Sequence, residues 1–170
     1  MTEPAAHHKI ACLCELRDHE GRYLLLHRAK SPNKGLYSPI GGKLETASGE
    51  SPTQCAQREI AEEAGLTVPL DRLHLAGIIS EKAYRSADGD PPTHWLIFWF
   101  RALDPVRVER VEFDEGRLEW IEPARLMDLD LPRTDREIIW PTVLDHEGSG
   151  PFSLHIDCTT DPIRWSLEGA

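Results

Sequence analysis

The alternation of apolar and polar positions divides the chain into short segments. Ile10–Leu16 and Arg22–His27 are apolar runs of strand length. The polar stretch Arg17-Asp18-His19-Glu20-Gly21 lies between them, and together they read as a hairpin. Ala29–Pro39, with two prolines and a glycine, reads as a loop. Ser51–Ala64 has helical periodicity. Leu73–Ser80 reads as a strand, and Glu81–Pro92, polar with Gly89 and the Pro91-Pro92 pair, as a loop. Thr93–Leu103, rich in aromatic and branched residues, has the composition of a central strand. Val106–Gly116 reads as loop or edge strand, Leu118–Ile121 as a short strand and Pro123–Met127 as one helical turn. Thr134–Leu144 reads as a helix with Thr134 as N-cap, Glu137 completing a capping box and Pro141 kinking or stopping it. Beyond the punctuation Gly148-Ser149-Gly150-Pro151, Phe152–Cys158 and Ile163–Leu167 suggest a hairpin added to the main sheet. Mixed strands with few helices predict an α+β domain.

The 170 residues suit one domain with a single substantial core. We expect a flexible N-terminus over 1–9, a main domain over 10–147 and an extension of it over 148–170. Hydrophobic residues make up 40% and charged residues 28%, a globular balance. No apolar run reaches membrane-spanning length. The net charge of −10 repels phosphate backbones, which argues against a nucleic-acid polymer as partner and leaves a small anion possible where local cations gather. Cys12, Cys14, Cys55 and Cys158 contain no C-x-x-C pair, and Cys12 and Cys14 share a face of one strand, as buried thiols do. With no export signal near Met1, the expected setting is the cytoplasm.

The chemistry concentrates between Gly41 and Leu66. Ser51 suits an N-cap, Pro52 the first helical position, Gln54 a capping box, and Gly65 the residue past the end. At about 100° per residue, Ala56, Ile60, Ala61 and Ala64 form a narrow apolar face. Glu59, Glu62 and Glu63 stack on adjoining turns beside it. Like charges at this spacing cost a few tenths of a kcal/mol, and acids near a helix C-terminus roughly another 0.3–1 kcal/mol each. Such a cluster opposes stability and favours a hard cation, Mg²⁺ or Mn²⁺. Helix pattern alone leaves a second reading open, a solvated acidic face tied down by Arg58.

The run Arg58-Glu59-Ile60-Ala61-Glu62-Glu63-Ala64-Gly65-Leu66, with Glu50 eight residues before Arg58, resembles the Nudix box, G-x5-E-x7-R-E-U-x-E-E-x-G-U with U a bulky aliphatic residue. Gly41-Gly42-Lys43-Leu44-Glu45 resembles its start. One departure stands out: seven residues rather than five separate Gly42 from Glu50, and the extra two fall at Thr46-Ala47-Ser48. The resemblance implies a mixed β-sheet between helices, an α/β/α sandwich, and a metal-dependent hydrolase of nucleoside diphosphate derivatives. By motif position Glu62 and Glu63 are implied metal ligands, with Glu59 a further ligand or the general base. Gly41 lends its carbonyl, Glu50 supports the site and Arg58 orients a glutamate.

The element order also resembles the MutT-like branch, which acts on oxidised purine nucleoside triphosphates. That likeness suggests Glu115 as a distal ligand, with Glu112, Asp114 and Glu119 as rivals, and Asp135 as the acid that reads a base edge. Arg28 and Lys43 are candidate phosphate contacts. Trp120 and Trp140 suit either base stacking or the core. The best expectation is cleavage of a purine nucleoside triphosphate, oxidised or not, to monophosphate and pyrophosphate, by a monomer or homodimer. ADP-ribose, a dinucleoside polyphosphate or a nucleotide sugar are alternatives, with substrate variation placed in the Glu81–Pro92 loop. A catalytically silent nucleotide-binding module is the reading of another class. Retention of all four box glutamates opposes it, and no basic helix-turn-helix segment supports a DNA-binding regulator.

Overall fold

A computed structural model describes residues 8–89 and 91–169. Residues 1–7 of the expected flexible N-terminus lie outside the described residues. His8 and Lys9 already belong to a strand.

Among the described residues, nine strands form one mixed sheet. They are β1 (His8–Glu15), β2 (Tyr23–Arg28), β3 (Tyr37–Lys43), β4 (Leu73–Tyr84), β5 (Thr93–Ala102), β6 (Glu112–Phe113), β7 (Gly116–Ile121), β8 (Phe152–Asp157) and β9 (Arg164–Leu167), ordered β6-β7-β2-β3-β1-β5-β4-β8-β9. β1 runs parallel to β5 and β4 parallel to β8, and the other neighbours are antiparallel. The aromatic run of β5 sits centrally, as its composition predicts.

The sheet has an apolar layer on each face. Helix α1 (Pro52–Ala64) places Cys55, Ala56, Ile60 and Ala64 against Cys12, Cys14, Leu24, Leu26 and Ile40. Cys12 and Cys14 are buried free thiols, as expected for packing residues, and Cys55 is buried with them. On the other face, Ile138, Ile139, Trp140 and Val143 of the last helical segment pack on Ile79, Trp99, Leu154 and Ile156. This is the helix–sheet–helix sandwich.

Four expectations need correction. First, β1 and β2 do not form a hairpin. One bridge, Arg17 to Tyr23, joins them, and β3 lies between them in the sheet. Asp18 closes the turn by accepting the Glu20 and Arg22 amides, but the strands then diverge and each pairs with β3. Second, Tyr37–Pro39 is strand rather than loop; Pro39 and two glycines disguise β3. Third, β4 continues past Ser80 to Tyr84, so Glu81 is a strand residue.

Fourth, Thr134 is no N-cap. Its backbone is already helical and its side chain caps nothing. A π-turn, Asp135–Ile139, precedes α2 (Trp140–Asp145). Pro141 has no N–H for the carbonyl four residues back, which favours a wider turn just ahead of it. Trp140 is wholly buried, edge-on to Tyr23 at 5.3 Å and to Trp99 at 5.0 Å, so it is core rather than a base platform. Trp120 packs against the α1 layer.

The tail does form a hairpin, β8–β9, that extends the sheet. No helix among the described residues is long and apolar enough to cross a membrane.

Candidate active site

The box helix is set as its sequence dictates. The Ser51 hydroxyl accepts the Gln54 amide, the Gln54 side chain accepts the Ser51 amide, and Gly65 ends the helix at φ 71°. Arg110 donates to the Glu62 and Glu63 carbonyls, offsetting the negative end of the dipole where the acids crowd. Sequence reasoning missed Arg110, which comes from an irregular segment 47 residues beyond Glu63.

Arg58 is the hub of the charges. Its Nε donates to Glu50 Oε1 at 2.8 Å, its Nη1 to Glu59 Oε1 at 2.6 Å and Glu62 Oε2 at 3.2 Å, and its Nη2 to the Lys43 carbonyl at 3.1 Å. The guanidinium holds Glu50 below the usual carboxylate range. The added residues at Thr46–Ser48 form an exposed 3₁₀ turn, and the Glu45 amide still donates to Glu50 Oε2 at 2.9 Å. The insertion is therefore absorbed ahead of the helix without detaching Glu50.

Two glycines bring backbone close to these carboxylates. A side chain on Gly41 (φ 153°) would strike the Cys12 carbonyl at 2.0 Å, and one on Gly42 would meet the Glu59 carboxylate at 2.5 Å. Glu63 is 3% exposed, its Oε2 has no hydrogen-bond partner, and the Gly41 amide donates to its carboxylate. Burial, with Glu59 and Glu115 nearby, pushes Glu63 up to about 8. Burial also raises Glu59, against the pull of Arg58.

These groups border a cavity of about 460 Å³, a volume suited to a nucleotide-sized ligand. Arg58, Glu59, Glu62, Glu115, Gly41, Arg28 and Lys43 line one end. Glu50 and Glu63 stand behind that wall. Asp135 lines the cavity as well, joined by Glu81 and Tyr84, from the segment expected to carry substrate variation, and by Asn33 and Trp95, which the sequence reading left out. Glu81 lies opposite Trp95 in the β4–β5 ladder, and the register slips between Glu81 and Tyr84, with Ala83 at φ 57°. Such a bulge re-aims side chains, and here Glu81 and Tyr84 both turn into the cavity. The Tyr84 hydroxyl donates to Asn33 Oδ1 at 2.8 Å. Polar Glu81-Lys82 looks like the start of a loop, which hid the residue. The alternation Trp95, Ile97 along β5 was the available signal for Trp95.

Glu81 and Asp135 are 4% and 8% exposed. Burial pushes Glu81 up to about 7 and Asp135 well above the carboxylate range, and the charge of Glu81 raises Asp135 further. The Thr134 hydroxyl is near enough to oppose both shifts, yet neither it nor Glu81 Oε1 reaches hydrogen-bonding geometry.

The donor set at the box end is chemically suited to a hard divalent cation: clustered carboxylates, a buried Glu63 oxygen without a partner, and a Gly42 that leaves room beside Glu59. Among the described residues no three acidic, imidazole or thiol groups converge to hold an ion as they stand, and Arg58 occupies the position between Glu59 and Glu62.

Comparison with known proteins agrees with this fold. The zebrafish (Danio rerio) oxidized purine nucleoside triphosphate hydrolase is 35% identical over 102 residues, 60% of this chain and 59% of that one. The match thus spans less than two thirds of that relative. A Bacillus subtilis Nudix hydrolase, YvcI, is 29% identical over 84% of this chain and 82% of its own length. The crystal structure of a MutT protein from Bacillus halodurans superposes with a TM-score of 0.72 at 26% identity, covering 94% of this chain and 97% of that one. The NUDIX domain model matches residues 6–140. With that span and the box helix in place, the chain belongs to the Nudix family of hydrolases.

Proposed function

We propose that this hydrolase cleaves a purine nucleoside triphosphate, ordinary or oxidised, to the monophosphate and pyrophosphate, using Mg²⁺ or Mn²⁺. The observation that carries the reading is that one cavity joins the box carboxylates Glu59 and Glu62 to the buried pair Glu81 and Asp135. Likeness to the zebrafish purine triphosphate hydrolase supports it.

Glu62 and Glu63, with the Gly41 carbonyl and Glu115, would hold the cation once Arg58 yields Glu62 and keeps Glu50, and Glu59 would be a further ligand or the general base. A bound divalent ion would neutralise polyphosphate charge and make a water more acidic. As general base, Glu59 would accept a proton from water, and burial raises its affinity for one. Glu50 fixes Arg58, and Arg58 fixes Glu59. Arg28 and Lys43 contact phosphate oxygens.

At the other end, two adjacent dry carboxyls cannot both ionise at neutral pH, so the pair keeps a proton and presents a donor beside an acceptor. A guanine-type edge offers the complementary pattern of N–H donors beside a carbonyl. Trp95, facing the same side as its cross-strand neighbour Glu81, supplies a ring for the base.

The test is initial-rate measurement on ordinary and 8-oxo purine triphosphates, pyrimidine triphosphates, ADP-ribose, a nucleotide sugar and a dinucleoside polyphosphate, with Mg²⁺ or Mn²⁺. Purine triphosphates should turn over best, releasing pyrophosphate. Preference for ADP-ribose or another diphosphate-linked substrate would replace the triphosphate assignment. Tight binding without turnover of any of them would point to a binding module.

A further inference from the structure

The C-terminal hairpin leaves the sheet with an open edge. β9 is the last strand, and all four of its residues are exposed. Trp165 is 51% exposed and Leu167 39%. Apolar side chains on an unpaired edge invite pairing with another strand. In the β8–β9 ladder Ile156 lies opposite Trp165 and Leu154 opposite Leu167. Opposed residues point to the same face, and Ile156 and Leu154 are buried in the layer beneath the last helical segment. Trp165 and Leu167 therefore prolong that apolar face beyond its helical cover.

Backbone parity restricts what can pair there. The Glu168 amide donates to the Ser153 carbonyl at 2.8 Å, so Glu168 bonds inward to the hairpin. Inward and outward bonding alternate along an antiparallel ladder. Arg164 and Ser166 therefore also bond inward, while Trp165 and Leu167 turn their N–H and C=O groups to the open edge. A second copy of this edge, added antiparallel, must set outward residues against outward residues. A two-fold axis through Trp165, Ser166 or Leu167 satisfies that; an axis between residues does not.

Side chains choose among the three. With the axis at Ser166, Arg164 lies opposite the second copy's Glu168, and Trp165 opposite its Leu167. With the axis at Trp165, Arg164 would face Ser166 and Glu168 would face Pro162. With the axis at Leu167, Trp165 would face Gly169. Only the Ser166 axis pairs opposite charges and apolar groups at once, and it does so twice by symmetry.

We propose that β9 is a self-association edge, through which two copies join antiparallel about a two-fold axis at Ser166 to make one continuous sheet. The pairing involves five residues a side and about four backbone hydrogen bonds. It lies below the ordinary size of a permanent interface, so the dimer is reversible and concentration-dependent.

Sedimentation velocity from low micromolar to several hundred micromolar tests it. The native chain shifts from monomer toward dimer across that range. Arg164→Glu and Glu168→Arg each set like charges together at both ends of the seam and weaken association roughly 10-fold or more. The double reversal restores opposite charges and brings association back to within about threefold of native. These side chains are exposed, so thermal unfolding of the variants should match native. Ser166→Cys adds a geometric check. At a non-hydrogen-bonded pair the Cα atoms lie about 4.5 Å apart, within disulfide reach. With diamide as oxidant it should yield more covalent dimer than Arg164→Cys or the native chain. A chain that stays monomeric throughout, or a double variant that fails to rescue, overturns the proposal.

Discussion

At the box end of the cavity, Glu50, Glu59 and Glu62 converge on one guanidinium, and the Glu62 side chain is 59% exposed. At the far end, Glu81 and Asp135 are almost wholly buried, and among the described residues no cation forms an ion pair with either. Buried negative charge is costly unless paired. The box end keeps charge by holding Arg58 among its acids, and that charge is what a cation and a polyphosphate require. The far end reduces charge by keeping a proton between its two carboxyls, and a donor beside an acceptor is what a heterocycle edge requires. One exception sharpens the contrast: Glu63 belongs to the box but is dry like the far pair, with an unpartnered oxygen. A bound cation would compensate it.

The largest expected effect tests that exception. Glu63→Gln removes an implied ligand while keeping its shape. Turnover should fall at least 10²–10³-fold, about 3–4 kcal/mol of transition-state stabilisation. The metal-free protein should unfold no lower than native at pH 7, because a costly buried carboxyl is gone. A large loss of stability would instead make Glu63 a structural residue.

Next, Asp135→Asn and Glu81→Gln should raise KM for purine triphosphates roughly 10–100-fold with less change in kcat, by losing complementarity worth about 1–3 kcal/mol. Equal losses for purine and pyrimidine triphosphates would contradict a base-reading role.

A smaller effect concerns pH. Glu81 binds its proton more tightly folded than unfolded, so its contribution is fully present below the ordinary carboxylate value. It is lost as pH rises from about 4.5 toward about 7, and above that the fold carries the whole penalty. The shift corresponds to a few kcal/mol. Glu81→Gln should therefore be more thermostable than native at pH 8, by several degrees, with the gap closing toward pH 5. Differential scanning fluorimetry across pH reads this directly. A constant gap would assign the effect to packing rather than charge.

The smallest effect belongs to the insertion. Deleting Thr46 and Ala47 removes part of an exposed turn, so stability should change by less than about 1 kcal/mol and kcat by less than about threefold. A larger loss would mean that the turn positions Glu45 or Glu50.

The helical half of the site was legible in the sequence because its signals are local. Ser51, Pro52, Gln54 and Gly65 bound the helix, and the fixed helical period places Glu59, Glu62 and Glu63. Asp135 was reached through the family likeness, as the acid at the start of the last helix, although Thr134 proved helical and Asp135 opens a π-turn instead. What the sequence concealed depends on partners far along the chain. β3 reads as loop because Pro39, Gly41 and Gly42 are poor strand formers; β1 and β2 on either side supply its ladder. Glu81 reads as the start of a polar loop because period-2 patterning does not identify a strand residue whose polar side chain fills a cavity. Arg110 reaches the box helix from a segment with no periodicity.

The most direct measurement is a crossed one. Half-saturating Mn²⁺ and the dissociation constant of metal-free nucleotide would be determined for the native chain, Glu62→Gln and Asp135→Asn. The account predicts that Glu62→Gln weakens Mn²⁺ at least tenfold and leaves dissociation of metal-free nucleotide within about threefold. Asp135→Asn should do the reverse. If both substitutions move both quantities alike, the two ends of the cavity do not divide the work, and the central claim is wrong.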